Sequence, residues 1–155
     1  MVKPIKVSKN TDYHSLMSNN FYTFTNIVSN ISKLLEKDAS IIAISSAGVI
    51  RSAKAVSAYA ASKMAMEGFV RSAALEFSKS GVRVNLISPG VVLTDMTKEF
   101  MRSIGTEASS QMSDSHPLGL GSAEDVSKLI NFLISNNSRW ITGQNIVIDG
   151  GFSIN

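Results

Sequence analysis

Three short apolar runs separated by long helical stretches restrict this chain more than any other feature. Ser40 to Ser45 reads SIIAIS, Val82 to Ile87 reads VRVNLI, and Asn145 to Ile148 reads NIVI. The first is isoleucine-rich without polar alternation, the pattern of a strand buried on both faces of a parallel sheet. Between the runs the apolar period changes to that of a helix. From Asp12 to Glu36 the residues Leu16, Phe21, Phe24, Ile27, Val28 and Ile31 share a face, with Asn10 or Thr11 as cap. From Ser57 to Ser80 an alanine-rich helix stops before Gly81, a natural C-cap. Residues 91 to 121 read as irregular, with one short helix near Asp95 to Ser103. Ser122 and Asp125 form a capping-box pattern that starts a helix running to about Ser135. Strands alternating with helices imply right-handed crossovers and an α/β parallel sheet. Three strands make a thin sheet with an open, apolar edge, which soluble proteins normally cover. The pattern thus implies that part of the sheet lies elsewhere.

The chain has 155 residues, which suggests a single domain over 1–155. Its hydrophobic fraction of 44% is enough for a real core. There is no cysteine, which excludes disulfides and thiolate chemistry and fits a reducing, cytoplasmic setting. The first residues, MVKPIKVSKN, contain no apolar stretch of the signal-peptide kind, and no run approaches a membrane span. The basic residues are scattered rather than gathered in a stripe, so no nucleic-acid partner is expected. His14 and His116 have no ligand-type spacing around them, so no metal site is expected.

Tyr59 and Lys63 stand four apart on the second helix, which places both side chains on one face. A phenol has a reference pKa of about 10, too high for a base near neutrality. An adjacent ammonium favours the phenolate and makes tyrosine a workable acid and base toward an alcohol or ketone. Ser46 follows the first strand, and ligands of open α/β sheets bind beyond the carboxyl ends of strands. A hydroxyl there can donate to a carbonyl oxygen as negative charge develops on it.

The ordered segments Ile44-Ser-Ser-Ala-Gly48, Tyr59-Ala-Ala-Ser-Lys63, Val82-Arg-Val-Asn85, Ser88-Pro-Gly90, Thr94-Asp95, Ile141-Thr-Gly-Gln144 and Asp149-Gly-Gly151 resemble the short-chain dehydrogenase/reductase family. The similarity is greatest to members of the glucose dehydrogenase and 3-oxoacyl-carrier-protein reductase kind, and runs from about Asp12 to the C-terminus. It implies interconversion of a carbonyl and a secondary alcohol with NAD or NADP. Ser46 then matches the residue that polarises the substrate oxygen, Tyr59 the general acid/base, and Lys63 the lysine that lowers the tyrosine pKa and binds the nicotinamide ribose. Asn19 matches the helix asparagine of the proton relay, although Asn20 competes with it. Pro89, Gly90, Val92 and Thr94 match the loop beside the nicotinamide, with backbone Val92 and the Thr94 hydroxyl as partners for its amide group. The methionines Met96, Met101 and Met112 fall in the family's substrate-covering region, where thioethers can line an adaptable pocket.

No G-x-G-x-x-G or G-x-x-x-G-x-G occurs anywhere in the chain. By resemblance it is a partial Rossmann-like, doubly wound sheet that keeps strands five to seven of the family's seven and lacks the N-terminal nucleotide-binding half. Two expectations follow. One is the catalytic half of an oxidoreductase that needs the cofactor-binding half from elsewhere. The other is a truncated, non-catalytic module that pairs with a like or complementary subunit. The helices at 12–36 and 57–80 resemble the family's dimer helices, and Ala58, Ala61, Ala65, Phe69 and Ala73 are their candidate contact residues.

Overall fold

The computed structural model describes residues 2–155. It contains one sheet of three parallel strands, β1 (Ser40–Ile44), β2 (Arg83–Pro89) and β3 (Asn145–Ile148), ordered β1-β2-β3. Six α-helices surround it: α1 (Asn10–Leu16), α2 (Thr23–Ile31), α3 (Ser57–Phe77), α4 (Asp95–Ile104), α5 (Thr106–Asp114) and α6 (Ala123–Ile134). The fold is α/β, a partial Rossmann arrangement. The core lies between α2, α3 and one face of the sheet, where Val28, Val70, Val84 and Leu86 are fully buried. Burying each such side chain contributes about 1.5–3 kcal/mol. Phe24 and Phe69 close that layer edge to face, 5.4 Å between ring centroids. On the opposite face α6 packs against β1, with Leu133 wholly buried.

Several local readings need correction. The first helix is not one regular element. A π-helical turn, Met17–Tyr22, separates α1 from α2. Neither Asn10 nor Thr11 caps it: helix α1 begins at Asn10, and the Asp12 carboxylate accepts the Lys9 N–H at 2.8 Å. In the segment after β2, the short helix expected near Asp95 to Ser103 is α4, but the rest is less irregular than expected, since α5 follows it after a turn at Gly105. The α3 end is as expected: Gly81 takes the left-handed conformation at φ 70° after a 3-10 turn.

The expectation that β1 is buried on both faces is half right. Ile41 and Ala43 are buried, whereas Ile44 is 40% exposed on the other face. Arg83 N–H donates to Ala39 O and Ser45 N–H donates to Ile87 O. Odd-numbered residues of β1 therefore turn their backbone groups to β2, and Ser40, Ile42 and Ile44 turn theirs to the open edge. The candidate contact residues also divide. Ala58 and Ala73 are buried, and Phe69 packs on Phe21 and Phe24, so these three belong to the core. Ala61 is exposed and Ala65 half-buried, and the larger apolar residues Ile27, Met64 and Leu75 are exposed on the same two helices.

Candidate active site

The carboxyl end of β1 and the first turns of α3 meet. Beyond β1, Ser46 accepts the Gly48 N–H at 3.1 Å and so caps the 3-10 turn Ala47–Val49. That bond fixes the serine side chain at the strand end and leaves its own hydrogen free to donate. The neighbouring Ser45 hydroxyl is buried without a partner among the described residues.

Tyr59 and Lys63 lie one turn apart on α3. The Lys63 ammonium donates to Ile44 O at 2.8 Å and lies 6.0 Å from the centre of the Tyr59 ring. The carbonyl it takes is one that β1 turns to the open edge, two residues before Ser46. Lys63 is thereby anchored beside both the phenol and the strand end. An ammonium has three hydrogens, so two remain for other acceptors. Partial burial holds Lys63 below its ordinary value.

The two asparagines separate. Asn20 donates from Nδ2 to the Ser62 hydroxyl at 3.0 Å, and Ser62 donates to Tyr59 O at 2.8 Å. Asn19 is exposed. Adjacent helical residues point about 100° apart, so only one of them can face α3, and that one is Asn20. The sequence offers both asparagines but no signal of which one the π turn aims at α3; such turns recur at functional sites.

The loop after β2 closes the other side. Gly90 must be glycine, because a Cβ there would lie 2.9 Å from Asp149 Cα, inside the β3 end. Pro89 is the last residue of β2, paired with Ile148. The backbone of the loop is almost fully committed. Gly90 N–H donates to Ile148 O, Val91 N–H to His116 Nε2, Leu93 N–H to Gly121 O, and Thr94 N–H to Val92 O. Among the described residues the Val92 N–H alone has no partner in the stretch 90–94. Its carbonyl is occupied by Thr97 Oγ1 at 2.5 Å. The Thr94 hydroxyl accepts Thr97 N–H and caps α4. Val92 thus offers a donor but no free acceptor, and Thr94 serves a helix as well as any ligand.

His116, read as an isolated histidine, is 3% exposed and carries this loop. Its partners lie 4, 25 and 36 residues away in sequence, so no local pattern announces it. Among the described residues no cluster of three metal-ligating side chains occurs, and no helix is long and apolar enough to cross a membrane. A groove of about 700 Å³ lies elsewhere, between α3 and β3, lined by Met64, Glu67, Arg71 and Asn145. Its carboxylate is already engaged, since Glu67 accepts from Arg71 at 2.6 Å and from Asn145 at 3.0 Å.

A family model described as enoyl-(acyl carrier protein) reductase matches residues 2–153. The chain is 33% identical over 147 residues to a 3-oxoacyl-[acyl-carrier-protein] reductase, FabG, of Buchnera aphidicola subsp. Baizongia pistaciae, covering 92% of this chain and 58% of that protein. It superposes on a short-chain dehydrogenase family protein of Francisella tularensis with TM-score 0.93 at 24% identity, covering 100% of this chain and 67% of that one. It also superposes on a 4-hydroxyisoleucine dehydrogenase complexed with NADH, with TM-score 0.89 at 30% identity, covering 99% and 64%. The chain spans about half the length of the curated relatives it matches. With the match running through nearly every described residue, and with the strand ends, lysine and loop in place, the chain belongs to the short-chain dehydrogenase/reductase family.

Proposed function

We propose that this chain supplies the proton-transfer and nicotinamide side of an NAD(P)-dependent oxidoreductase that interconverts a carbonyl and a secondary alcohol. The observation that carries this is the anchoring of Lys63 on Ile44 O beside the Tyr59 ring. Tyr59 gives or takes the proton at the substrate oxygen. Ser46 donates a hydrogen bond to that oxygen. Lys63 favours the Tyr59 phenolate and offers its two remaining hydrogens to ribose hydroxyls. Asn20, rather than Asn19, takes the relay position, because it is the asparagine tied to the turn of α3 that holds Tyr59. Pro89, Gly90, Val92 and Thr94 line the nicotinamide, with the unpaired Val92 N–H as its carboxamide donor.

The residues present fit the nicotinamide–ribose end of NAD or NADP. Among the described residues no glycine-rich strand-to-helix turn exists to hold the pyrophosphate. When bound, the nicotinamide would supply the hydride in carbonyl reduction and take it in alcohol oxidation, and the chain's own residues govern only the proton. Catalysis therefore needs the nucleotide-binding half from another polypeptide or segment. The setting is cytoplasmic and the partners are a small carbonyl or alcohol and a like or complementary subunit. The exposed Ile27, Met64 and Leu75 support helix-mediated pairing.

The test mixes the chain with a polypeptide carrying the strand, glycine-rich turn and helix of a family member. Reduction of a panel of small ketones and acetoacetyl esters by NADH and NADPH is then followed by absorbance. Activity should appear only in the mixture and fall at least about a thousandfold with Tyr59→Phe. Turnover that survives Tyr59→Phe would sink the assignment. A second reading, a non-catalytic pairing module, is favoured by the open edge of β1; it predicts a stable complex with no turnover at all.

A further inference from the structure

We propose that His116 is a positioning residue: it holds the Val91 amide and thereby leaves Val92 N–H as the one free donor of the loop. That this donor serves the nicotinamide carboxamide rests on the function proposed above; the hold on Val91 does not.

The geometry fixes the state of the ring. His116 Nδ1 lies 2.8 Å from Met112 O, an atom that only accepts, so Nδ1 carries the hydrogen. His116 Nε2 lies 3.1 Å from Val91 N, which only donates, so Nε2 presents its lone pair. The neutral Nδ1–H tautomer is the form that satisfies both. Turning the ring over would place a ring carbon, Cδ2 or Cε1, where each nitrogen now meets its partner.

The ring is also held flat. It stacks on Phe152 at 4.7 Å between centroids and 18° between planes. Arg51 lies 4.8 Å from the Phe152 centroid and donates to Phe152 O at 3.1 Å. Asp149 accepts from Gly151 N–H at 3.0 Å and Ser153 N–H at 2.7 Å, which shapes the turn on which Phe152 sits. The C-terminal segment, the loop before α3 and the end of α5 thus converge on one imidazole, and its only bond to the loop is at Val91.

The consequence lies one residue further on. Gly90 N–H is taken by β3, Leu93 N–H by Gly121 and Thr94 N–H by Val92 O. The plane carrying the Val92 N–H is held directly as well, because Gly121 N–H donates to Val91 O at 3.0 Å. The imidazole acts on the plane before it: without His116 the Val91 N–H loses its only partner, becomes a second free donor, and that preceding plane can rotate.

The test uses the isotopically labelled full chain and nitrogen-detected magnetic resonance. The wild type should show His116 protonated at Nδ1 only, with a coupling across the hydrogen bond between Val91 N and His116 Nε2. His116→Phe keeps the stacking and removes the acceptor. It should speed exchange of the Val91 amide about tenfold while the amides of β2 stay protected. His116→Gln, whose side-chain oxygen can accept, should restore most of that protection. Reduced nicotinamide mononucleotide should bind His116→Phe about fivefold more weakly than wild type, and His116→Gln close to wild type. A ring protonated at Nε2, or unchanged Val91 exchange in His116→Phe, overturns the proposal. Wild type that shows the coupling but does not bind the mononucleotide overturns the carboxamide assignment alone and leaves the anchor supported.

Discussion

Arg83 is a charged side chain whose bonds all run to uncharged acceptors. It is 7% exposed on β2 and donates to Leu133 O at 2.6 Å, Ser138 Oγ at 2.8 Å and Ser135 O at 3.3 Å. These acceptors end α6, where a cation also meets the negative end of the helix dipole. Arg83→Ala would remove the charged donor that joins these acceptors, leaving Leu133 O only the Ser40 and Ser138 hydroxyls, and should cost about 3 kcal/mol in urea unfolding. Arg83→Lys keeps the charge but not the planar fork, and should cost about 1–2 kcal/mol. Equal losses for the two variants would contradict this account. Lys63 gives a pH signature instead. Burial lowers its pKa in the folded chain, so the unfolded chain binds the proton more tightly. Stability should therefore rise as pH climbs through the interval between the lowered folded value and the ordinary value of 10.5. Denaturation midpoints of Lys63→Met, compared with wild type across that interval, should lack this rise. Tyr59 and Lys63 were legible because helix spacing alone puts them on one face. Arg83 and His116 were not, since their roles depend on groups 50 and 25 residues away.

At the scale of elements, legibility followed the strength of the local pattern. The bounds of β3 and the Ser122–Asp125 capping box could be read directly, because few residues specify each. Of the α4–α5 hairpin, α4 could be read nearly to its bounds and α5 could not. Helix α5 packs on α4 more than on the sheet and carries little of the apolar stripe a core-facing helix needs. The π turn was equally hidden, since the same side chains fit an α-helix that continues unbroken. That turn decides which asparagine faces α3. Asn20→Ala should cost about 1 kcal/mol by removing the bond to Ser62, whereas Asn19→Ala should stay within about 0.5 kcal/mol of wild type. Thermal melts of both variants distinguish them. Gly90→Ala makes the corresponding case for the β2 exit. Its Cβ meets the Asp149 backbone, not a flexible side chain, so relief requires the two strand ends to part. A loss of about 2–3 kcal/mol is expected.

For the whole molecule, the open edge of β1 and the missing glycine-rich turn are two aspects of one geometry. The sequence implied the edge through the count of strands, and the structure shows which backbone groups form it. Ile42 turns its N–H outward and Ile41 turns its N–H to β2. A proline at position 42 therefore removes a donor the sheet does not use, whereas one at position 41 breaks the ladder. This asymmetry tests whether the edge is where the nucleotide-binding half docks. The chain alone should bind NADH no more tightly than reduced nicotinamide mononucleotide, because the adenosine half of the dinucleotide meets no built site. Adding the polypeptide with the glycine-rich turn should tighten NADH binding at least about tenfold and leave the mononucleotide nearly unchanged. Ile42→Pro should fold, bind the mononucleotide like wild type, and lose the gain for NADH. Ile41→Pro should unfold. Fluorescence titration of the four combinations reads all of this, and micromolar NADH binding by the chain alone would show that it holds the dinucleotide without the edge being covered.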